Sequence, residues 1–233
     1  MSSLFNGGIS VSIFGESHGR GIGVVLDTLP AGEPLDFEEI GKFMARRAAK
    51  KDGTSTLRLE KDLPEVLSGF YEGRTTGTPL AAVIFNAEQH SADYNNISHI
   101  ARPAHADYTG FLRYNGANDP RGGGHFSGRI TAPLVFAGAV CAQILKRRGI
   151  TTGAHIRSLH GISDEAFDPM NVTAEQLEAV KSRSFPVLSD EAEEKMRAEI
   201  LSAREQLNSV GGVIECAAVG MPAGVGSPMM DGL

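Results

Sequence analysis

The chain has 233 residues, 41% hydrophobic and 21% charged, with two cysteines and a net charge of −6. Those proportions belong to a folded globular protein and exclude a disordered chain or a small disulfide-stapled one. The N-terminus lacks the basic start and apolar stretch of a signal peptide, and the longest nearly apolar run, Ile130–Ala142, is short for a bilayer and contains Pro133.

Ile9, Val11 and Ile13 alternate with Ser10 and Ser12, which predicts a half-buried strand ending at Phe14-Gly-Glu-Ser-His-Gly19. Gly15 and Gly19 permit a sharp turn there and place Ser17 and His18 at the mouth of a cleft. Ile22–Asp27 reads as a second strand, running into the turn Leu29-Pro-Ala-Gly32. Asp36 and Glu39 form an N-terminal capping pattern, and Phe37, Ile40, Phe43 and Met44 give the helix that follows an apolar stripe. That helix closes on Arg46, Arg47, Lys50 and Lys51, cations that suit either a helix C-terminus or an anionic ligand. Glu65–Tyr71 and Leu80–Phe85 are further strands, whereas Asn86–His125 has little periodicity and much Gly, Asn, Asp and Pro. A loop system of that length inside a compact domain usually carries function.

From His99 to Arg129 there are four Arg and three His against two Asp, a basic pocket in an otherwise acidic chain. Such a pocket suits a small anion better than nucleic acid. Within it, Arg102-Pro-Ala-His-Ala-Asp-Tyr108 brings His105 within reach of Asp107, which can fix its tautomer or raise its basicity. Arg121-Gly-Gly-Gly-His-Phe-Ser-Gly-Arg129 offers backbone amides at a helix start, with Arg121, Ser127 and Arg129 as anion-binding side chains. The loop matches neither the Walker pattern nor the dinucleotide fingerprint. Ser127–Arg148 then reads as a long helix, apolar on most sides and therefore central, closed by Gly149. Two amphipathic helices follow near 173–182 and 190–207, the first with a Thr173/Gln176 capping box, and Gly212–Gly220 returns to strand. The excess acid sits on this stretch: residues 160–205 hold 11 acids and 5 bases, leaving 17 of each elsewhere. Val24–Gly32 and Cys216–Gly224 share an apolar strand and a Pro-Ala-Gly turn, which implies a duplicated architecture whose second copy is cut short at Leu233.

Neither a nucleophile elbow nor an activated cysteine is present, and the histidines lack metal-ligand spacing. Cys141 and Cys216 stand far apart, predicting reduced thiols and a cytoplasmic protein. Two candidate acid/base histidines among several arginines point to proton handling around a phosphorylated small molecule. A phosphate-releasing hydrolase would need a nucleophile or metal set that is not found. The alternative to an enzyme is a truncated, non-catalytic anion binder, or a subunit associating with a full-length partner.

Several of these segments, in the same order, resemble the signatures of the chorismate synthase family. They are Phe14-Gly-Glu-Ser-His-Gly, Ile22-Gly-Val-Val-Leu-Asp-Thr-Leu-Pro-Ala-Gly32, Thr75-Thr-Gly-Thr-Pro, Arg102-Pro-Ala-His-Ala-Asp, Gly122-Gly-Gly-His-Phe-Ser-Gly-Arg and Gly211-Gly-Val-Ile-Glu-Cys. The resemblance implies an α+β, β-α-β sandwich-like fold with internal duplication, here a single domain over 1–233 that is incomplete at its C-terminus. It implies 1,4-elimination of phosphate from 5-enolpyruvylshikimate-3-phosphate, giving chorismate, with reduced FMN and no net redox change. NADPH is a possible reductant for that FMN, by an activity of the protein itself or of another reductase, and the complete enzyme is expected to be a homotetramer. By the same resemblance His18 and His105 are the catalytic acid/base pair, acting on the departing phosphate and on the flavin. Ser17, Arg46, Arg47, Arg102 and Arg129 bind the substrate; His125, Phe126 and Ser127 touch FMN. No metal, nucleic acid or membrane is implied.

Four departures accompany the likeness. His125-Phe-Ser-Gly-Arg-Ile130 stands where the family commonly has Arg-Ser-Ser-Ala-Arg-Glu, and Ala104 replaces a Gly. Gly53 or a neighbour falls where a further Arg is common, with Lys50, Lys51 or Arg58 as substitutes. The family's later region, with more FMN contacts and an Arg-x-Asp motif, is expected to lie beyond this sequence.

Overall fold

The computed structural model describes residues 3–48, 53–54, 62–86, 100–103 and 105–226, and the chain divides into two compact units. The first comprises 1–49 and 57–141, the second 50–56 and 142–233. Ala104, Lys50, Lys51 and Arg58 lie outside the described residues. Helices and sheets are both present and every strand pair is antiparallel among the described residues, so the class is α+β, as expected.

The first unit is built on a five-stranded sheet of order β1-β2-β3-β7-β4, every neighbouring pair antiparallel. Its strands are β1 (Leu4–Asn6), β2 (Ser10–Gly15), β3 (Gly21–Asp27), β4 (Pro64–Ser68) and β7 (Leu80–Phe85). The interior strands supply the core: Ile22, Val24 and Leu26 of β3 and Leu80, Ala82 and Ile84 of β7 are buried at alternate positions. Helix α1 (Phe37–Arg47) starts as its sequence predicts, because the Asp36 carboxylate accepts from the backbone N–H of Glu38 (2.8 Å) and Glu39 (3.1 Å). It buries Ile40 and Met44, and the ring of Phe37 packs 4.8 Å from Phe70 and 6.5 Å from Phe136.

The single strand expected over Glu65–Tyr71 is broken in two. Gly69 has φ +79°, and a Cβ there would stand 2.4 Å from the Leu80 backbone, so the chain kinks against β7. The next residues form the separate ribbon β5 (Phe70–Tyr71) and β6 (Arg74–Thr75). The long stretch after Asn86 also contains more structure than its composition suggests. Helix α2 (Asp107–Arg113) lies within it, followed by a 3-10 segment at Arg121–Phe126. No side chain caps α2, and Tyr108, Phe111 and Leu112, although spaced i, i+3 and i+4, are exposed, so this short helix has neither the cap nor a buried stripe.

Ser127 caps a short 3-10 turn (Gly128–Ile130) that leads into α3 (Thr131–Arg147), with Pro133 tolerated in its first turn. The stretch Gly128–Arg147 is long and apolar enough to cross a membrane by length and composition. Half of its apolar window is buried within the protein, including Ala132, Phe136, Ala137, Ala139 and Val140, which is the pattern of a core helix.

The second unit has a three-stranded sheet of order β10-β8-β9: β8 (Thr151–Leu159), β9 (Ile162–Ser163) and β10 (Gly212–Val219). Helices α4 (Ala174–Ser182) and α5 (Asp190–Glu205) form where their caps predict, α4 through a complete Thr173/Gln176 capping box. Leu159, Phe185, Val187, Ala192 and Met196 make its apolar core. Strand β8 went unread in the sequence because Thr-Thr-Gly-Ala-His-Ile-Arg-Ser-Leu lacks clean alternation. The two echoed strands occupy unlike places: β3 is interior to its sheet, whereas β10 is at an edge of the three described strands.

Candidate active site

The turn after β2 is where the first unit concentrates its buried polar groups. Ser17 and His18 are 1% and 4% exposed, so they stand inside the protein rather than at the mouth of a cleft as the flanking glycines predict. Two contacts pin the turn to the glycine segment that precedes α3. The Ser17 N–H donates to the Gly124 carbonyl at 3.1 Å, and the imidazole of His18 lies directly against Gly122. A Cβ at Gly122 would fall 2.4 Å from His18 Cδ2 and 2.6 Å from Nε2, and its φ is +59°, so both the space and the backbone demand glycine.

His125 completes this buttress. Its Nδ1 is 2.7 Å from the Gly15 carbonyl, which requires the proton on Nδ1. Its Nε2 therefore accepts from the Ser3 hydroxyl at 2.6 Å. Phe126 packs beside Gly110 and has its ring 6.1 Å from that of Tyr114, while Ser127 Oγ accepts from the Arg129 N–H at 3.3 Å. The polar atoms of His125 and Ser127 are thus engaged within the chain, where they hold the glycine segment and the helix start.

Beside the turn lies an ionic cluster centred on Asp62, whose side chain is 2% exposed. Arg47 Nη1 donates to Asp62 Oδ2 at 2.6 Å, and Arg129 Nη1 donates to Asp62 Oδ1. Arg47 also donates through Nε to Thr131 Oγ1 (3.1 Å) and through Nη2 to the Gly128 carbonyl (3.2 Å). Arg129 Nε donates to Asn86 Oδ1 at 3.2 Å, and the Asn86 amide donates to the carbonyls of Glu16 (3.1 Å) and Gly19 (2.9 Å). One asparagine therefore ties the His18 turn to the arginine cluster. Two guanidinium groups share this one carboxylate.

The remaining predicted residues fall outside that network. Arg46 is exposed, with its guanidinium 5.7 Å over the Phe43 ring. Arg102 is forked onto Asp107, with Nε and Nη2 donating at 2.8 and 2.9 Å. That fork corrects the expected His105–Asp107 pair. The Asp107 carboxylate is spent on Arg102, whose hydrogen bonds and charge hold its pKa down at about 2. The His105 ring instead sets Nδ1 2.9 Å from the Pro103 carbonyl, so Nδ1 carries the proton and Nε2 is the basic nitrogen. Arg121, expected to bind an anion, is likewise forked by Asp119, with hydrogen bonds at 2.7–3.2 Å that depress the Asp119 pKa. Sequence reading missed Asp62 and Asn86 altogether. A lone Asp before an apolar strand and an Asn just after one carry no periodic or motif signal.

A buried histidine, a hydroxyl and a cationic cluster joined through one turn can bind an anion and move a proton at it. Residues 9–233 match the family model named chorismate synthase. The chain belongs to that family. It is 42% identical over 231 residues to the chorismate synthase of Methanococcoides burtonii, covering 99% of this chain and 62% of that one. The Pyrococcus abyssi chorismate synthase is 42% identical over 221 residues, covering 94% of this chain and 60% of that one. A crystal structure of chorismate synthase superposes with a TM-score of 0.72 at 30% identity, covering 95% of this chain and 60% of that one. The chain thus spans 60–62% of the length of these chorismate synthases.

Proposed function

We propose that this chain carries the phosphate-binding and proton-donating part of a phospholyase that converts 5-enolpyruvylshikimate-3-phosphate to chorismate and inorganic phosphate. In that elimination the carbon–oxygen bond to phosphate breaks and a proton leaves the ring carbon at the far end of the new diene. The observation that carries the reading is the Asn86 bridge, which couples the buried His18 turn to the Arg47–Asp62–Arg129 cluster. Arg47 and Arg129 supply positive charge where the departing phosphate gathers negative charge, and His18 delivers a proton to the departing phosphate oxygen. Ser17, as buried as His18, orients the same group. His105, with Nε2 basic, is the second proton carrier, and Arg102 holds its loop through Asp107. Arg46 adds to the potential at the entrance rather than to direct contact.

Reduced FMN, the cofactor of chorismate synthases, would when bound supply transient electron density to the elimination. His125, Phe126 and Ser127 fit a supporting role for the glycine segment better than a grip on flavin, because the polar atoms of His125 and Ser127 are engaged within the chain and the Phe126 ring packs against Gly110 and Tyr114. NADPH as the reductant, a homotetramer and a cytoplasmic location complete the proposal.

The test is phosphate release from 5-enolpyruvylshikimate-3-phosphate under anaerobic conditions with chemically reduced FMN, alongside inorganic phosphate binding by titration calorimetry. Turnover that disappears in His18→Ala supports the reading. Phosphate binding without any turnover would replace it with a non-catalytic anion binder.

A further inference from the structure

We infer that Asp62 is a positioning residue of the anion site: a resident carboxylate that holds Arg47 and Arg129 in register and that the substrate phosphate must compete with. The inference rests on the proposed phosphate chemistry of this site and adds a residue and a mode of control to it.

The geometry is that of a counter-ion. Each carboxylate oxygen of Asp62 takes a different guanidinium, Oδ2 from Arg47 and Oδ1 from Arg129. The two arginines come from different elements, α1 and the turn before α3, and the shared carboxylate offsets the repulsion between two like charges held side by side. Asp62 reaches them from a left-handed backbone (φ 45°), a conformation that Asp tolerates better than most residues. Arg129 is 7% exposed and fixed by Asn86, so it cannot swing to follow a ligand; Arg47 is 25% exposed and faces outward more. A phosphate approaching Arg47 therefore meets a cation already half neutralised. Binding is weakened, and release of the phosphate product is correspondingly favoured. Because Arg129 continues through Asn86 to the Glu16 and Gly19 carbonyls, the same carboxylate fixes where His18 stands relative to the anion.

The sign of the effect separates this role from a merely structural one. Asp62→Asn removes the competing charge; the folded variant is expected to bind inorganic phosphate about tenfold more tightly, while turnover falls about tenfold or more. Asp62→Glu, which keeps the charge, should hold phosphate affinity within about twofold of wild type. Unchanged or weaker phosphate binding in folded Asp62→Asn would overturn the inference. Should that variant not fold, the wild-type protein decides: phosphate titrated into 15N-arginine-labelled protein must shift the Nε–H signals of both Arg47 and Arg129. A shift in one alone, or in neither, also overturns it. If the wild type neither binds phosphate nor turns over substrate, the functional reading fails and the inference with it. If the wild type does both and Asp62→Asn binds phosphate no better, only the inference fails.

Discussion

Among the described residues, each unit has an ionic cluster centred on a fully buried side chain, Asp62 in one and His155 in the other, and the two are built with opposite balance. In the first, two arginines share the single carboxylate of Asp62. In the second, one imidazole has two carboxylates: His155 Nδ1 is 3.0 Å from Asp164 and Nε2 is 2.8 Å from Glu215. The second cluster is also closed by backbone donors. Asp164 accepts from Leu188 (2.6 Å) and Ser189 (3.0 Å), Glu215 accepts from Phe167 (2.9 Å), and the Phe167 ring packs edge-on against His155 at 4.6 Å. A cluster in which two guanidinium groups meet one carboxylate beside a glycine turn is suited to receive an anion. A cluster with its carboxylates satisfied by backbone N–H groups is suited to lock β8 and β10 together. The difference teaches that burial of charge does not by itself mark a site; what matters is which sign is left under-compensated, and where.

The comparison can be broken at either cluster. The largest expected effect is at the chemistry: His18→Ala should lower turnover of the folded fraction by about 10²–10⁴-fold, the range for loss of a general acid, with a lowered melting temperature because the ring is buried against Gly122. Gly122→Ala sharpens this test, because its Cβ would occupy the position of the His18 ring edge. It should reproduce most of the loss although no proton-carrying group has been removed, and normal turnover in Gly122→Ala would contradict the packing. Next in size is the opposite cluster. His155→Ala leaves the buried carboxylate of Asp164 without its imidazole and should cost about 3–5 kcal/mol of stability in chemical denaturation. Phosphate affinity in the folded fraction should not move; if it does, the two clusters are not separable.

Smaller effects discriminate among the arginines. Arg47→Ala should weaken phosphate binding about tenfold or more, whereas Arg46→Ala, exposed and stacked on Phe43, should change it by about twofold at most. Equal losses in both would return Arg46 to the site. The mildest prediction concerns pH. The Asp107 carboxyl is lowered from its ordinary 3.8 to about 2 by Arg102, so the fork contributes stability above pH ~4 and loses it as pH falls toward 2. Hydrogen exchange of the α2 amides should rise over that window in wild type. In Asp107→Asn exchange should be faster already at neutral pH and lack the acid step.

Much of the fold is legible in the residues because local signals there agree with the tertiary outcome. Asp36 caps α1, the Thr173/Gln176 box starts α4, and period-two alternation marks β2. The failures share a cause. Gly69 breaks a plausible strand because β7 lies against it, α2 forms without a cap or a buried stripe, and β8 has no clean alternation of its own. In each case the deciding partner is distant in sequence or is not apolar.

The same division runs through the site. The sequence alone determined that a glycine-bounded histidine, a second histidine loop and a Gly-rich segment with arginines occur in one chain, and in the order of a known family. Those features depend on residue type and near spacing, which the linear sequence carries. Only the tertiary structure decided how the charges pair. Asp62, 15 residues beyond Arg47 and 67 before Arg129, becomes their common counter-ion, while Asp107 and Asp119 claim Arg102 and Arg121. Coulomb attraction depends on separation in space and on the loss of solvent around the pair, and neither quantity is written in the order of the residues.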